Sequence, residues 1–167
     1  MPVTALQFKS ALRRWASGVS VVTTRRRGGI HGITVSSFCS LSLEPPLVLV
    51  CIGRAARSHT LILKERCFGV NILRSDQAAL AELAAGRSGG RGAWLEGVSY
   101  RTQVTGAPLL RDCLAWLDCA LVERLDGGDH SIFIGRVEAA GQRTGLPLLW
   151  WGSDYRSLAR PPGRRDP

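Results

Sequence analysis

The chain reads as a mainly β domain with a few short helices, an antiparallel barrel carrying helical decoration. Three observations lead there. Apolar runs of strand length recur along it, turn signals built from Gly, Asp and Pro separate them, and helical spacing is confined to short stretches. With 167 residues and 45% hydrophobic composition it can bury one core and has little room for a second. A single domain is therefore placed at residues 1–159, followed at 160–167 by a basic Pro/Gly tail expected to be disordered.

Each element has a local reason. Thr4 and Gln7 make a capping box, and Phe8, Ala11, Leu12 and Trp15 repeat at helical spacing as far as Ser17, which predicts a core-facing helix. Residues 18–24 then read as a strand, 25–29 as a turn and 30–35 as the antiparallel partner. Thr34, Ser36, Ser37, Ser40 and Ser42 follow with no charge until Glu44, a cluster of short hydroxyls and backbone N–H groups suited to a phosphate or a polar ring edge. Pro45 and Pro46 remove two backbone donors and enforce extended geometry, so the chain turns before Leu47 to Ile52, read as a doubly buried strand.

Ser58 or Thr60 caps a short helix running to about Arg66, and Phe68 to Leu73 is the next strand. Ser75 caps a helix from Asp76 to Ala85, with Leu80, Leu83 and Ala84 on one face and Gly86 as its stop. Residues 87–111 are rich in Gly and polar residues and predict a long covering loop with short extended pieces around 98–104. Cys113 to Arg124 and Ser131 to Ala140 are the last long strands, joined by a turn at 125–128.

The net charge of +9 and pI of 10.4 raise a nucleic-acid reading. The distribution argues against it: all but two of the 22 basic residues are Arg, they spread along the chain, and no aromatic residues interleave the dense groups at 25–27 and 160–165. The excess reads as a solvated surface that also attracts anionic nucleotides. Five cysteines, an odd count without a C-x-x-C pair, argue against a disulfide framework and against a metal site, and predict reduced core thiols in a cytoplasmic protein. The first residues lack a basic region followed by an apolar core, and no stretch approaches a membrane-spanning length. Neither H-E-x-x-H, a P-loop nor G-x-G-x-x-G is present, which sets aside zinc peptidases, P-loop enzymes and the usual dinucleotide domain.

Residues 32–48, Gly-Ile-Thr-Val-Ser-Ser-Phe-Cys-Ser-Leu-Ser-Leu-Glu-Pro-Pro-Leu-Val, closely resemble the G-x-T-x-S-S-F-x-S-V-S-L-x-P-P-L-V signature of the short-chain flavin reductases. Phe68-Gly69-Val70-Asn71-Ile72-Leu73 resembles that family's F-x-V-N-x-L, residues 105–109 its T-G-x-P-L, and residues 128–137 its G-D-H-x-I-x-x-G-x-V. The four blocks stand in the family's order. The resemblance implies a split β-barrel, usually a homodimer with flavin near the subunit interface. It implies an NAD(P)H:flavin oxidoreductase that reduces FMN or FAD by hydride transfer from NADH or NADPH and supplies a separate monooxygenase. The bound cofactors carry the hydride chemistry, so few acid–base side chains are needed. Two alternatives remain: a flavin-dependent monooxygenase or oxidase with its own organic substrate, and a non-catalytic flavin or nucleic-acid binder.

By the same resemblance, Thr34, Val35, Ser36 and Ser37 line the isoalloxazine edge, with Ser40 and Ser42 near the ribityl or phosphate path. Cys51, Ile52, Gly53 and Arg54 continue the flavin wall, and Arg54 or Arg57 neutralises the phosphate. Many relatives carry Ser-x-Thr after this strand; Ala55-Ala56-Arg57-Ser58-His59-Thr60 allows two registers, leaving Ser58 and Thr60 as alternatives. His130 resembles the residue that faces the nicotinamide, by stacking or by bonding its amide, and Tyr155 and Arg156 of a G-x-Y-x-x-L-like ending resemble nucleotide contacts. Trp150 and Trp151 replace smaller aromatic residues, with at least one expected in the core, and Gly92-Ala93-Trp94 stands where relatives present Lys-Phe.

Overall fold

The computed structural model describes residues 2–26, 29–86 and 92–159. The tail at 160–167, with its expected disorder, and parts of the turn at 25–29 and of the loop at 87–111 lie outside the described residues. In chain order the elements are α1 (Ala5–Leu12), β1 (Ser17–Gly18), β2 (Ser20–Arg26), β3 (Gly29–Val35), β4 (Phe38–Ser42), β5 (Leu47–Gly53), α2 (Arg57–Glu65), β6 (Cys67–Ile72), α3 (Ala78–Ala85), β7 (Ala93–Trp94), β8 (Tyr100–Arg101), β9 (Leu109–Leu110), β10 (Ala115–Gly127), β11 (His130–Gln142), β12 (Leu148–Trp151) and β13 (Asp154–Ser157).

Eight strands form one antiparallel sheet in the order β4-β5-β11-β10-β6-β2-β3-β7. Val22 and Ile33 from one half of that order meet Val50, Ile52 and Phe133 from the other in a common core with Phe68, Val70 and Leu121. The sheet therefore curls around its apolar face. Among the described residues no backbone ladder joins β3 or β7 back to β4, and the barrel stays split. On the opposite face of β2 and β3, Val19, Val21 and Ile30 pack with Ala81 and Ala84 of α3 and with Leu148 of the small sheet β1-β12-β13.

Several elements differ from the sequence reading. β5 alternates: Val48, Val50 and Ile52 are buried, while Leu47, Leu49 and Cys51 are only half-buried, so just one face of this strand meets the core. α1 has the predicted capping box but ends at Leu12 and buries no residue; Phe8 is 58% and Trp15 73% exposed. α2 begins at Arg57, so Ser58 and Thr60 lie inside its first turn and neither caps it. α3 starts after Gln77, whose Oε1 accepts the Arg74 N–H at 2.9 Å, while the Ser75 N–H is drawn to the Leu146 carbonyl at 2.8 Å. The β10–β11 hairpin runs to a two-residue turn at 128–129, where Gly128 has φ +70°, because Gly127 still pairs with His130. Of the five thiols Cys67, Cys113 and Cys119 are buried, whereas Cys39 on the edge strand is exposed and Cys51 half-buried.

Two of the sequence blocks act as a structural clamp. The Asn71 Oδ1 accepts the Leu110 N–H at 2.7 Å, and its Nδ2 donates to the Val21 carbonyl at 2.9 Å and to Thr23 Oγ1 at 3.0 Å. Thr23 in turn donates to the Pro108 carbonyl, and the N–H and hydroxyl of Thr105 both donate to the buried carboxylate of Asp118. The segment at 105–110 is thereby fastened across β2, β6 and β10. Gly69 is required beneath it, since a Cβ there would lie 2.3 Å from the Pro108 carbonyl oxygen.

Candidate functional site

Where β5 ends, the Ala56 N–H bonds the Gly53 carbonyl at 2.9 Å and the chain turns directly into α2. Ala56, the residue before the helix, has no side chain able to cap it, so first-turn N–H groups are left for another acceptor. This helix start borders a cleft of about 560 Å³ lined by Arg54, Ala55, Ala56, Arg57, Thr60 and Leu61 on one side and by His31, Gly92, Ala93 and Trp94 on the other. Uncapped amides, two guanidiniums and a hydroxyl give one end of the cleft the chemistry of an anion site. Leu61 and the indole of Trp94 give apolar walls.

The cleft is held by buried polar bonds. His31, 2% exposed, shares a 2.9 Å hydrogen bond between its Nδ1 and Ser58 Oγ, and meets Trp94 edge to face with ring centroids 5.4 Å apart. Gly92 fits against that ring because a Cβ would come within 2.6 Å of His31 Cε1. One position further along α2, the buried His59 shares a 2.9 Å bond between Nε2 and Ser131 Oγ and packs edge-on against Phe133. Burial, reinforced by the charges of Arg124 and Arg54, holds His59 below the ordinary histidine value. These two histidines tie α2 to β3 and to β11.

His130 opens β11 opposite Gly53, close enough that a Cβ on Gly53 would lie 3.6 Å from its Nε2. Its Nδ1 lies 2.8 Å from Asp129 Oδ1, and this contact holds the Asp129 carboxyl below its usual range. The Arg54 N–H donates to the Asp129 carbonyl at 3.0 Å and its guanidinium pairs with Asp126 at 2.9 Å, so the hairpin tip is fixed to the mouth of the cleft. Arg57 is exposed and makes no ion pair among the described residues.

A second, smaller pocket of about 230 Å³ lies at the far end of β3, lined by Val19, Thr34, Val35, Ser36, Glu82, Ala85, Trp150 and Tyr155.

The residues singled out in the sequence thus fall into several groups. Arg54, Arg57 and Thr60 share the larger cleft, while His130 does not line it and stands opposite Gly53, the residue before Arg54. Thr34, Val35 and Ser36 line the smaller pocket together with Tyr155, and the Thr34 hydroxyl donates to the Ala81 carbonyl at 2.6 Å. The Ser37 hydroxyl donates to the Cys51 carbonyl at 2.9 Å and pins the start of β4 to β5. Ser58 is fully buried against His31, and Ile52 belongs to the core. Ser40 and Ser42 sit on the edge strand β4 and line neither pocket. Arg156 alternates away from Tyr155 along β13 and pairs with Asp154 at 2.5 Å. Trp150 packs in the core and Trp151 is exposed. The sequence reading passed over His31 and Glu82; a histidine inside a β-branched hairpin strand was the only signal for the first.

A split barrel with an uncapped helix start beside two arginines and an aromatic-walled cleft gives the chain one recess with the chemistry for an extended anionic ligand. The chain belongs to the flavin reductase like domain family, whose model matches residues 12–159. It is 37% identical over 163 residues to an NADH-dependent flavin reductase of a Rhodococcus species, covering 93% of this chain and 88% of that one. It is also 37% identical over 150 residues to the reductase component of the 4-nitrophenol 4-monooxygenase/4-nitrocatechol 2-monooxygenase of Rhodococcus opacus, covering 90% and 79%. Among solved structures, the Streptomyces globisporus NADH:FAD oxidoreductase in complex with NAD and FAD fragments superposes with a TM-score of 0.84 at 32% identity, over 95% of this chain and 94% of that one.

Proposed function

We propose that this protein is an NADH:flavin oxidoreductase that reduces FMN or FAD and supplies the reduced flavin to a separate monooxygenase, acting as a homodimer in the cytoplasm. The observation that carries the reading is the uncapped start of α2, with Arg57 and Thr60 beside it, opening a cleft next to the Gly53–His130 pair. The relatives named as NADH-dependent reductases and monooxygenase reductase components support it. No described helix is long and apolar enough to cross a membrane, and no cluster of metal-ligating side chains occurs among the described residues.

The residues present fit a flavin: an anion-binding end for its phosphate and apolar walls for a ring system. When bound, the flavin supplies the hydride acceptor, and the protein supplies placement. Arg57, the Thr60 hydroxyl and the first amides of α2 hold the phosphate. Thr60 takes this role rather than Ser58, whose hydroxyl is buried and committed to His31. Arg54 adds charge at the mouth while Asp126 fixes its direction. Trp94 and Leu61 exclude water. With Nδ1 bonded to Asp129, the His130 imidazole leaves Nε2 for the carboxamide of a nicotinamide. A second copy is supported by the apolar residues left exposed on α1 and by Leu41 and Leu43 beside the half-buried outer face of β5.

The test is flavin affinity with NADH turnover. Removing a charge-assisted bond is worth about 1.5–3 kcal/mol, so Arg57→Ala and Thr60→Val are each expected to weaken FMN or FAD binding by about tenfold or more, while Ser58→Ala leaves it within about threefold. Absence of NADH oxidation by wild-type protein with either flavin, or unchanged flavin affinity in Arg57→Ala, would overturn the reading.

A further inference from the structure

One wall of the larger cleft comes from a residue outside all four family-like blocks. Trp94 ends the edge strand β7, which pairs with β3 so that Trp94 stands opposite His31 and Ala93 opposite Gly32. The buried His31 ring meets the indole at 88° with centroids 5.4 Å apart. His31 is itself bonded to Ser58 at 2.9 Å, so the indole rests on a fixed support. Trp94 is nevertheless only half-buried and borders the cleft, beside Gly92 and Ala93, which present little side chain of their own.

Hydride transfer requires the flavin ring at near-contact distance from the nicotinamide, hence beside Gly53 and His130, which pair across β5 and β11. Gly53 leads through Arg54 to the start of α2 at Arg57, where the phosphate is held. The flavin ring, its ribityl chain and its phosphate therefore run along the Gly53 to Arg57 side of the cleft. Trp94 stands on the other side. FMN ends at its phosphate, whereas FAD continues through a second phosphate into adenosine, and a cleft of about 560 Å³ holds far more than one phosphate. An indole is a platform for a stacked base, and Leu61 of α2 lines the same cleft with aliphatic carbon. We propose that Trp94 binds the adenine of FAD and makes this protein prefer FAD to FMN. This inference rests on the reductase reading and names, within it, the flavin that the site takes.

The experiment measures Kd for FAD, FMN and ADP by fluorescence, and steady-state KM for NADH, in wild type, Trp94→Ala and Trp94→Phe. Wild type is expected to bind FAD about tenfold more tightly than FMN, the worth of one stacked base. In Trp94→Ala that ratio is expected to fall to within about twofold of unity. ADP, which carries the adenosine diphosphate half of FAD without the isoalloxazine, should lose affinity by a similar factor. Trp94→Phe keeps an aromatic face and should retain a ratio of at least about fivefold. Weakening of FAD and FMN by equal factors would put the isoalloxazine on Trp94. Wild-type affinity for FMN equal to or above that for FAD would leave the indole without an adenine, and a rise in NADH KM matching the rise in FAD Kd would give it to the other dinucleotide. Each of these overturns the proposal, and NADH oxidation observed alongside leaves the reductase reading intact. An FAD preference that Trp94→Ala abolishes, in a protein that oxidises no NADH, would overturn the reductase reading and leave the adenine site standing.

Discussion

Asn71→Ala tests whether the second family-like block serves the fold or the ligand. Its Oδ1 takes the Leu110 N–H at 2.7 Å in a site with no water access, and its Nδ2 makes two further bonds, to the Val21 carbonyl and to Thr23 Oγ1. Leaving a buried N–H unpaired costs about 1–3 kcal/mol and losing each of the other two bonds about 0.5–1.5, together about 2–6 kcal/mol. Against the roughly 5–15 kcal/mol that holds a domain folded, that is a large share. In a chain of this size each kcal/mol moves the melting midpoint by about 2–4 °C, so a fall of at least about 4 °C is expected. Urea unfolding followed by fluorescence should show a lower midpoint with an unchanged slope, and flavin affinity of the folded fraction should be kept. A midpoint within about 0.5 kcal/mol of wild type together with weakened flavin binding would refute the clamp and move Asn71 into the site.

Two further outcomes are expected. His59 is held below its ordinary value of 6.5, so the unfolded chain takes up more protons than the folded one as pH falls. The stability that neutral His59 contributes is complete above 6.5 and is lost as pH drops toward its own lower value; His59→Gln should flatten the fall in urea midpoint between about pH 7 and about pH 5, and an unaltered slope would count against this assignment. Replacing Leu6, Phe8 and Trp15 together by Ser should convert a dimer to a monomer in sedimentation, since these side chains are 78%, 58% and 73% exposed in a single chain; a monomeric wild type, or a variant that stays dimeric, would show that α1 is not the contact.

The elements legible in the sequence were those fixed by local rules: the capping box at Thr4, the hairpin of β2 and β3, the strand at Phe68 and the stop at Gly86. What remained hidden depended on tertiary partners. The run Leu47 to Ile52 looks uniformly apolar, and only the sheet reveals that alternate residues face outward. The apolar stripe of α1 obeys helical periodicity, which says that a face is to be covered but not whether the same chain covers it. Ser58 and Thr60 are equivalent as letters two apart; the helix turns one toward His31 and the other toward the cleft.

Two histidine–serine bonds tie α2 to β3 and β11 through the protein's own side chains. The helix start proposed for the flavin phosphate is consequently braced by the fold itself, and little ordering of helix or loop is charged against association. Encounter then becomes the main determinant of how fast flavin enters, helped by the surplus positive charge, and differences in affinity express themselves as residence time. A rigid dock of this kind suits a cargo that must leave after each reduction: the protein works as a quay, where the traffic moves and the berth does not.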